Sequence, residues 1–325
     1  MRALRCHTLG DLSSLRVDEI ESPAMGPGQV RIGVKAAGVN FPDILMCEGK
    51  YQVKPPMPFI PGLEVAGEVL EVGAGVTHIG PGSRVMAFAR LAGGYASEIV
   101  LPGGIVTPIP DAMDFTIAAA FPVAYGTAQF ALDYRGHLKP GETLVVLGAT
   151  GGVGLAAIEC GKLLGARVIA AAGGADKIAL AREYGADEVV DYRAENLRDR
   201  LRELTDGKGV DVVFDPVGGS AFDACVRAIG WEGRILVVGF ASGEVPKPPA
   251  NLILVKNFSV VGVVFGEHSA RFPDQSRALL TQLLGAWEQG RLHPKIWRTF
   301  PLDRAGEAFT EISSREVQGK MVLTV

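Results

Sequence analysis

The segment that decides the fold is 143–172, "TLVVLGATGGVGLAAIECGKLLGARVIAAA". An apolar strand-like run leads into a glycine-rich turn, a helical pattern that ends at Gly165, and a second apolar run. The fingerprint positions of the turn are Ala149, Gly151 and Gly154, a variant of the G-x-G-x-x-G pattern. Such glycines let the backbone approach a pyrophosphate, and the helix N-terminus offers free N–H groups to it. The segment therefore predicts the first β-α-β unit of a dinucleotide-binding domain.

The alternation of strands and helices continues after this unit. Apolar runs recur in "DEVVDY", "VDVVFD", "RILVVGF" and "NFSVVGVVFG" (257–266), with helical patterns between most of them. This predicts a Rossmann domain over 119–266, a doubly wound parallel sheet of six strands. Residues 1–118 have short strand-like runs among many Gly and Pro residues, which predict a β-rich domain. The last part of the chain, 267–325, is expected to fold back on that first domain, giving an α/β protein of two domains.

The composition restricts the class of protein. A chain of 325 residues fits two domains, and a net charge of -4 does not favour nucleic acid or an anionic membrane as partner. Four scattered cysteines do not form a disulfide pattern, and no apolar run approaches the ~20 residues that span a bilayer. We therefore expect a cytoplasmic protein without nucleic-acid or membrane partners.

The end of the second strand bears on the choice of cofactor. In NAD-binding domains an Asp or Glu at this place holds the ribose 2′-hydroxyl. Here the chain reads Gly173 and Gly174, and Lys177 follows. Open space, no carboxylate and a nearby cation suit a 2′-phosphate, so the stretch predicts NADPH. The alternative for Lys177 is a solvated helix residue.

Asp176 and Tyr192 lie near this stretch, and the sequence predicts a role for each. Asp176 is expected at the N-cap of the next helix, where backbone N–H groups would use its carboxylate. Tyr192, at the end of the third strand, is expected to cover the adenine or contact the phosphate. A surface tyrosine at a strand end is the alternative.

Five stretches carry a family resemblance. They are "AAGVNFPDILMCEGKY" (36–51), "PFIPGLEVAGEVLEVGAGV" (58–76), "YGTA" (125–128), "GATGGVGLAAIECGKLLGARVI" and "GADEVVDY". In this order and spacing they resemble the zinc-independent quinone oxidoreductase branch of the medium-chain dehydrogenase/reductase superfamily, over the whole chain. The resemblance implies a GroES-like catalytic domain made of both chain ends, with a Rossmann domain inserted.

The resemblance also implies that this chain holds no metal. The zinc alcohol dehydrogenases of the superfamily have zinc ligands where this chain has Asn40, Leu63 and a residue near Ala119. Catalytic zinc needs three protein ligands, and Leu and Ala cannot ligate. Glu64 remains, and we expect it to make an internal hydrogen bond.

The expected reaction follows from the missing Lewis acid. Reduction of an electrophilic acceptor is easier than alcohol oxidation, so we expect hydride transfer from NADPH to a quinone or an α,β-unsaturated carbonyl. Asn40 and Tyr51 are the candidates that stabilise negative charge on the acceptor oxygen. Asp43 is expected to orient their loop or to contact the nicotinamide ribose. The alternative for all three is plain loop structure.

The remaining cofactor contacts are carried over from the family by position. Thr127 is expected near the nicotinamide phosphate. The turn, two strand ends and the last strand supply the others: Ala149, Gly151, Gly152, Val153, Phe240, Phe265, Gly266 and Lys320. Core packing is the alternative for the two phenylalanines, and a surface charge is the alternative for Lys320.

The alternatives concern the acceptor and the assembly. The apolar run 257–266 would be an exposed edge strand, which relatives pair in a homodimer, so we expect a homodimer here. An enoyl-thioester reductase of acrylyl-CoA type would need a basic surface, for which Arg271, Arg277 and Arg298 are candidates. A non-catalytic, crystallin-like NADPH-binding protein is the third possibility. The sequence leaves the acceptor open.

Overall fold

The computed structural model describes residues 1–89 and 93–325. The chain divides into two compact units, one of residues 1–123 and 266–325 and the other of residues 124–265. The divisions predicted from the sequence are 118/119 and 266/267. Within the described ranges, no helix combines the length and the apolar character needed to cross a membrane.

Strands follow one another closely in the first 108 residues, whereas strands and helices alternate between residues 143 and 262. The strands in the described ranges are β1 (Arg2–Arg5), β2 (Arg16–Glu19), β3 (Gln29–Val39), β4 (Glu64–Val72), β5 (Arg84–Phe88), β6 (Glu98–Pro102), β7 (Val106–Pro108), β8 (Thr143–Leu147), β9 (Arg167–Ala172), β10 (Glu188–Asp191), β11 (Val210–Asp215), β12 (Ile229–Val237), β13 (Ser259–Gly262), β14 (Ile296–Pro301) and β15 (Lys320–Thr324). The α-helices there are α1 (Phe41–Cys47), α2 (Phe115–Ala119), α3 (Pro122–Gln129), α4 (Gly152–Leu163), α5 (Ala175–Glu183), α6 (Leu197–Leu204), α7 (Gly219–Ala228), α8 (Ala250–Lys256), α9 (Phe265–Arg271), α10 (Pro273–Glu288) and α11 (Ala305–Ser313). A π-helix, Phe130–Arg135, follows α3.

The unit made of both chain ends is built on one mixed sheet. Its strand order is β14-β15-β3-β4-β5-β7, and β6 also pairs with β3. Strand β15 runs antiparallel to β3 with Met321 opposite Val39, and β3 runs antiparallel to β4 with Gly38 opposite Glu64. This register brings the beginnings of β15 and β4 and the end of β3 to the same end of the sheet. The β-rich fold predicted for this part of the chain is confirmed.

The other unit is a parallel sheet of six strands in the order β10-β9-β8-β11-β12-β13. Numbered from the first strand of the unit, this is the 3-2-1-4-5-6 order of doubly wound dinucleotide-binding folds. The middle residues of its central strands are apolar, as in a sheet with helices on both faces, and Val145, Ile169, Val213 and Ile235 are fully buried. The Rossmann prediction is confirmed.

The sixth strand is shorter than the sequence predicted. The apolar run 257–266 forms a strand only over Ser259–Gly262, and Phe265 and Gly266 begin helix α9. The neighbouring strand β12 ends at Val237, opposite Gly262, so there is no further strand backbone to pair with. The prediction that Phe265 and Gly266 end a strand is therefore wrong.

The predicted N-cap position of Asp176 is also wrong. Helix α5 begins at Ala175 and its N-cap is Gly174, with φ of 100° and ψ of 152°. Glycine adopts this left-handed backbone without a steric penalty, so the helix begins earlier than an Asp176 cap would allow. Asp176 instead lies in the first turn of α5, exposed to solvent.

Candidate catalytic and cofactor-binding sites

A buried polar network joins three strand ends of the GroES-like unit. The Lys320 ammonium donates to Glu64 Oε1 at 2.6 Å, to Asn40 Oδ1 at 2.6 Å and to the Val39 carbonyl at 3.0 Å. The Asn40 amide donates to Glu64 Oε1 at 3.0 Å and to the Gly38 carbonyl at 3.3 Å. The expected internal hydrogen bonds of Glu64 are therefore present.

The network uses every hydrogen that its members can donate. The three N–H bonds of Lys320 and both amide hydrogens of Asn40 have acceptors, and the second Glu64 oxygen accepts from the Val123 N–H at 2.8 Å. Lys320 is 7% exposed and Glu64 is fully buried. Buried charges are tolerated when they are paired and fully hydrogen-bonded. This geometry weighs against the predicted direct contacts of Asn40 with substrate and of Lys320 with cofactor, and it favours a positioning role for both.

Asp43 fastens helix α1 to the loop before β4. Its Oδ2 accepts from the Asn40 N–H at 2.9 Å and from the Tyr95 hydroxyl at 2.8 Å, and its Oδ1 accepts from the Gly62 N–H at 3.2 Å. Complete burial raises the pKa of Asp43 to about 7, although the hydrogen bonds from Tyr95 and Asn40 act in the opposite direction. Asp43 therefore orients the loop, as one of its two predicted roles required. Tyr95, fully buried, is its partner and was missed by the sequence reasoning.

Of the three predicted catalytic residues, Tyr51 is the one whose side-chain hydroxyl is available to bind a substrate. Its backbone N–H donates to the carbonyl of Leu45 at 3.1 Å, which holds the residue against the end of α1. Among the residues that the structure describes, none forms a hydrogen bond with its hydroxyl, and the side chain is half-buried. Burial, and then the charge of Asp43, raise the pKa of Tyr51, so the hydroxyl keeps its proton at neutral pH. A protonated hydroxyl without a partner can donate to an oxygen of a substrate.

In the Rossmann unit, the glycine-rich turn forms a phosphate cradle. Helix α4 has Gly151 as its N-cap, and within the described ranges nothing accepts from the N–H groups of Gly152, Val153 and Gly154. A Cβ on Gly154 would overlap the carbonyl oxygen of Gly148, whereas one on Gly151 would meet only that oxygen, at 3.5 Å. The free N–H groups and the open space over Gly151 fit a pyrophosphate. The fully buried Ala149 contributes to the shape of the turn.

The corner expected to bind a 2′-phosphate includes a cation that the sequence reasoning missed. A Cβ on Gly173 would lie 2.8 Å from Arg193 Nε and 2.9 Å from Tyr192 Cε2, so both side chains cover this glycine. Asp191 Oδ1 fixes the corner by accepting from the N–H groups of Gly174, at 3.1 Å, and Arg193, at 2.9 Å. The predictions of open space and of no carboxylate at this corner are therefore wrong. Strand β10 pairs with β9 so that Asp191 lies opposite Ala172, which explains how residue 193 reaches residue 173.

The other predicted cofactor contacts lie on several elements. Thr127 is half-buried on α3, and Lys177 is half-buried in the first turn of α5. Phe240 lies three residues beyond the end of β12, and the ring of buried Phe265 lies 5.7 Å from that of Phe130. Their contacts with a cofactor, like that of Gly266, stay predictions.

Known proteins resemble the chain over its whole length. The alcohol dehydrogenase GroES-like domain family matches residues 26–111, and the zinc-binding dehydrogenase family matches residues 152–282. The quinone oxidoreductase-like protein 2 homolog of Nematostella vectensis is 43% identical over 324 residues, covering 99% of this chain and 88% of that protein. The quinone oxidoreductase of Rattus norvegicus is 32% identical over 326 residues, covering 99% of this chain and 97% of that one.

A solved structure shows the same fold. The crystal structure of Escherichia coli quinone oxidoreductase complexed with NADPH matches with a TM-score of 0.92 and 29% identity, covering 100% of both chains. The two folds and the cradle define a medium-chain dehydrogenase/reductase, an oxidoreductase of the nicotinamide-dependent class. Within that superfamily, the chain belongs to the quinone oxidoreductase family.

Other residues stand at the positions where zinc enzymes of the superfamily have ligands. Asn40 belongs to the hydrogen-bonded network with Lys320 and Glu64. Leu63 and Ala119 are buried apolar residues. Within residues 1–89 and 93–325, no group of three His, Cys, Asp or Glu residues is placed to hold a metal ion. The absence of a metal stays a prediction.

Proposed function

We propose that this protein is a zinc-independent, NADPH-dependent reductase whose acceptor is a quinone or an α,β-unsaturated carbonyl. The observation that carries the proposal is the Lys320–Glu64–Asn40 network, which occupies the end of the sheet where zinc enzymes of the superfamily place ligands. A neutral Asn, a Leu and an Ala cannot form a catalytic zinc site. A reaction that needs no Lewis acid is therefore favoured.

The residues of the chain supply binding and a proton donor. When bound, the nicotinamide cofactor supplies the hydride. The Tyr51 hydroxyl donates a hydrogen bond to the acceptor oxygen as negative charge develops there. Asp43 holds α1 in place, and the Leu45 carbonyl at the end of that helix accepts from the Tyr51 N–H. Asp43, Asn40 and Lys320 are thus positioning residues in this proposal.

The cofactor is proposed to be NADPH. The support is the corner formed by Gly173 and Gly174, with Lys177 on α5 and with Arg193 and Tyr192 covering Gly173. The two cations favour a phosphate monoester. The Asp191 carboxylate at the same corner acts in the opposite direction, because a carboxylate suits a ribose hydroxyl.

The acceptor class can be tested directly. Purified protein with NADPH is mixed separately with phenanthrenequinone, benzoquinone, an enone and acrylyl-CoA, and the absorbance of reduced nicotinamide is followed. We expect oxidation with the quinones or the enone. A protein that binds NADPH but reduces none of the four acceptors would be the crystallin-like alternative.

The thioester alternative has less support. Each of the three arginines named for a CoA-binding surface has a carboxylate partner: Arg271 with Glu267 at 2.8 Å, Arg277 with Asp274 at 2.9 Å and Arg298 with Glu311 at 2.9 Å. The carboxylate partners offset part of the positive charge that the phosphates of CoA would meet. Faster reduction of acrylyl-CoA than of the quinones would nevertheless favour this alternative.

Tyr51→Phe should separate catalysis from binding. We expect kcat to fall by about 10²-fold, the usual effect of losing one positioned donor, with little change in the Kd of NADPH. Stopped-flow single turnovers and fluorescence titration measure the two quantities. Tyr134→Phe, at an exposed tyrosine of the other unit, is the control and should leave both unchanged. An unchanged kcat in Tyr51→Phe would show that another group carries the charge.

A homodimer is proposed from the edge of the Rossmann sheet. Strand β13 is the last strand of that sheet, and the apolar residues Leu254 and Val264 near its two ends are 78% and 64% exposed. An edge strand flanked by exposed apolar side chains is a site for pairing with another strand. Sedimentation velocity should then give twice the mass of one chain, and a monomer at micromolar concentration would refute the pairing.

A further inference from the structure

A surface cavity of about 290 Å³ lies in the Rossmann unit, at the amino-terminal end of the parallel strands, whereas the glycine-rich turn lies at their carboxyl end. Gly209 and Ile229, at the amino-terminal ends of β11 and β12, line it, whereas the turn follows the carboxyl end of β8. Cofactors and substrates of open α/β sheets bind at the carboxyl ends of the strands. This cavity is therefore separate from the cofactor site proposed above.

Four cations line the cavity: Arg202, Lys208, Arg227 and Lys256. None of the described lining residues is an Asp or Glu. Arg198 and Arg200, on the same helix as Arg202, pair with carboxylates, but no described residue forms an ion pair with any of the four cavity cations. An unpaired group of like charges repels itself, and an anion in the cavity would relieve that repulsion.

The cations have different parts in this arrangement. The Lys256 ammonium donates to the carbonyls of Val226, Arg227 and Ile229, at 3.1, 2.8 and 3.1 Å, so its hydrogens are used and only its charge acts on the cavity. Burial, and then the positive charge of Arg202, lower the pKa of Lys256. Arg227 Nη1 donates to the Asp223 carbonyl at 3.3 Å, which leaves its other N–H groups. Those groups and the exposed side chains of Arg202 and Lys208 are left to bind an anion.

An aromatic residue completes the cavity wall. Trp231 lines it and is 69% exposed, more than any other large aromatic residue of the described chain. The next residue, Glu232, has a positive φ of 60°, and the register of β11 with β12 is broken here. An exposed indole beside guanidinium groups suits a ligand that is both planar and anionic.

We infer that this cavity binds an organic phosphate with an aromatic ring, such as a nucleoside monophosphate. Its phosphate contacts Arg202, Lys208 and Arg227, and its ring stacks on Trp231. A cavity of about 290 Å³ is at the small end of the range for small-molecule sites, which fits one nucleotide and not a dinucleotide.

Calorimetric titration of AMP into the full-length protein saturated with NADPH tests the inference. The bound NADPH keeps AMP away from the glycine-rich turn. We expect one further AMP per chain, and a loss of about 10²-fold in affinity for Arg202→Gln/Arg227→Gln, because each charge-assisted hydrogen bond contributes about tenfold or more. The matched control is Arg198→Gln, on the same helix but paired with Asp199, and it should bind AMP as the parent does.

Two further measurements separate the ring from the phosphate. Trp231→Ala should weaken AMP about tenfold, the effect of losing one stacked base, and leave inorganic phosphate unchanged. Ribose 5-phosphate should bind the parent protein as weakly as AMP binds Trp231→Ala. The inference is overturned if AMP does not bind the NADPH-saturated protein, or if Arg202→Gln/Arg227→Gln binds it as the parent does. An unchanged AMP affinity in Trp231→Ala would overturn the stacking and leave a plain phosphate site, contrary to the inference.

Discussion

We expect Lys320→Met to lower the free energy of unfolding by about 3–5 kcal/mol, the usual cost of leaving a buried charge without its partner. Lys320 and Glu64 are both buried and 2.6 Å apart, so the substitution strands the Glu64 carboxylate where water cannot reach it. It also removes the donor to Asn40 Oδ1. Urea unfolding followed by circular dichroism measures the change, with Glu64→Gln expected to cost a similar amount.

Two controls distinguish a buried charge from ordinary packing. Lys35→Met removes an ammonium from the adjacent strand β3, but Lys35 is exposed and lies 4.0 Å from Glu68, so it should cost at most about 1 kcal/mol. The double variant Lys320→Met/Glu64→Gln leaves no unpaired charge and should cost less than the sum of the two single variants. Strict additivity, or a loss in Lys320→Met no larger than in Lys35→Met, would contradict the coupling described here.

The Rossmann unit could be predicted from the sequence because its signals are local. The strand, turn and helix of 143–163 follow one another, and each has its own pattern of apolar residues and glycines. The end of the sixth strand could not be predicted in this way. The run 257–266 is apolar throughout, and where it leaves the sheet depends on the length of its neighbour β12.

The candidate catalytic site depends on contacts that are distant in sequence. Lys320 and Asn40 are 280 residues apart, and they meet because β15 lies beside β3 in the sheet. The sequence indicated each residue singly, from its place in the family, and therefore assigned both to ligands. Only the strand order reveals that their hydrogens are already used within the protein. For Asp43, a role in orienting the loop was among the predictions, and its hydrogen bonds with the N–H groups of Asn40 and Gly62 fit that role.

The cofactor corner gives the prediction with the largest effect on binding. We expect Lys177→Ala/Arg193→Ala to raise the Kd of NADPH by about 10²- to 10⁴-fold, because each lost charge-assisted hydrogen bond costs about 1.5–3 kcal/mol. The Kd of NADH should stay nearly the same, since NADH has no 2′-phosphate. Titrations of both cofactors, followed by the fluorescence of reduced nicotinamide, measure the ratio. The control is Arg182→Ala, which removes one positive charge from the last turn of the same helix as Lys177.

The single variants Lys177→Ala and Arg193→Ala show which of the two cations contributes more to NADPH affinity. The sequence pointed to Lys177 alone, whereas the structure places Arg193 directly over Gly173. If Arg193→Ala loses more NADPH affinity than Lys177→Ala, the pairing of β10 with β9 sets cofactor selectivity by carrying a cation to the second strand. Equal losses for NADPH and NADH in the double variant would contradict a 2′-phosphate site. Asp191, which fixes both Gly174 and Arg193 through their N–H groups, would then be the residue to test as a ribose ligand for NADH.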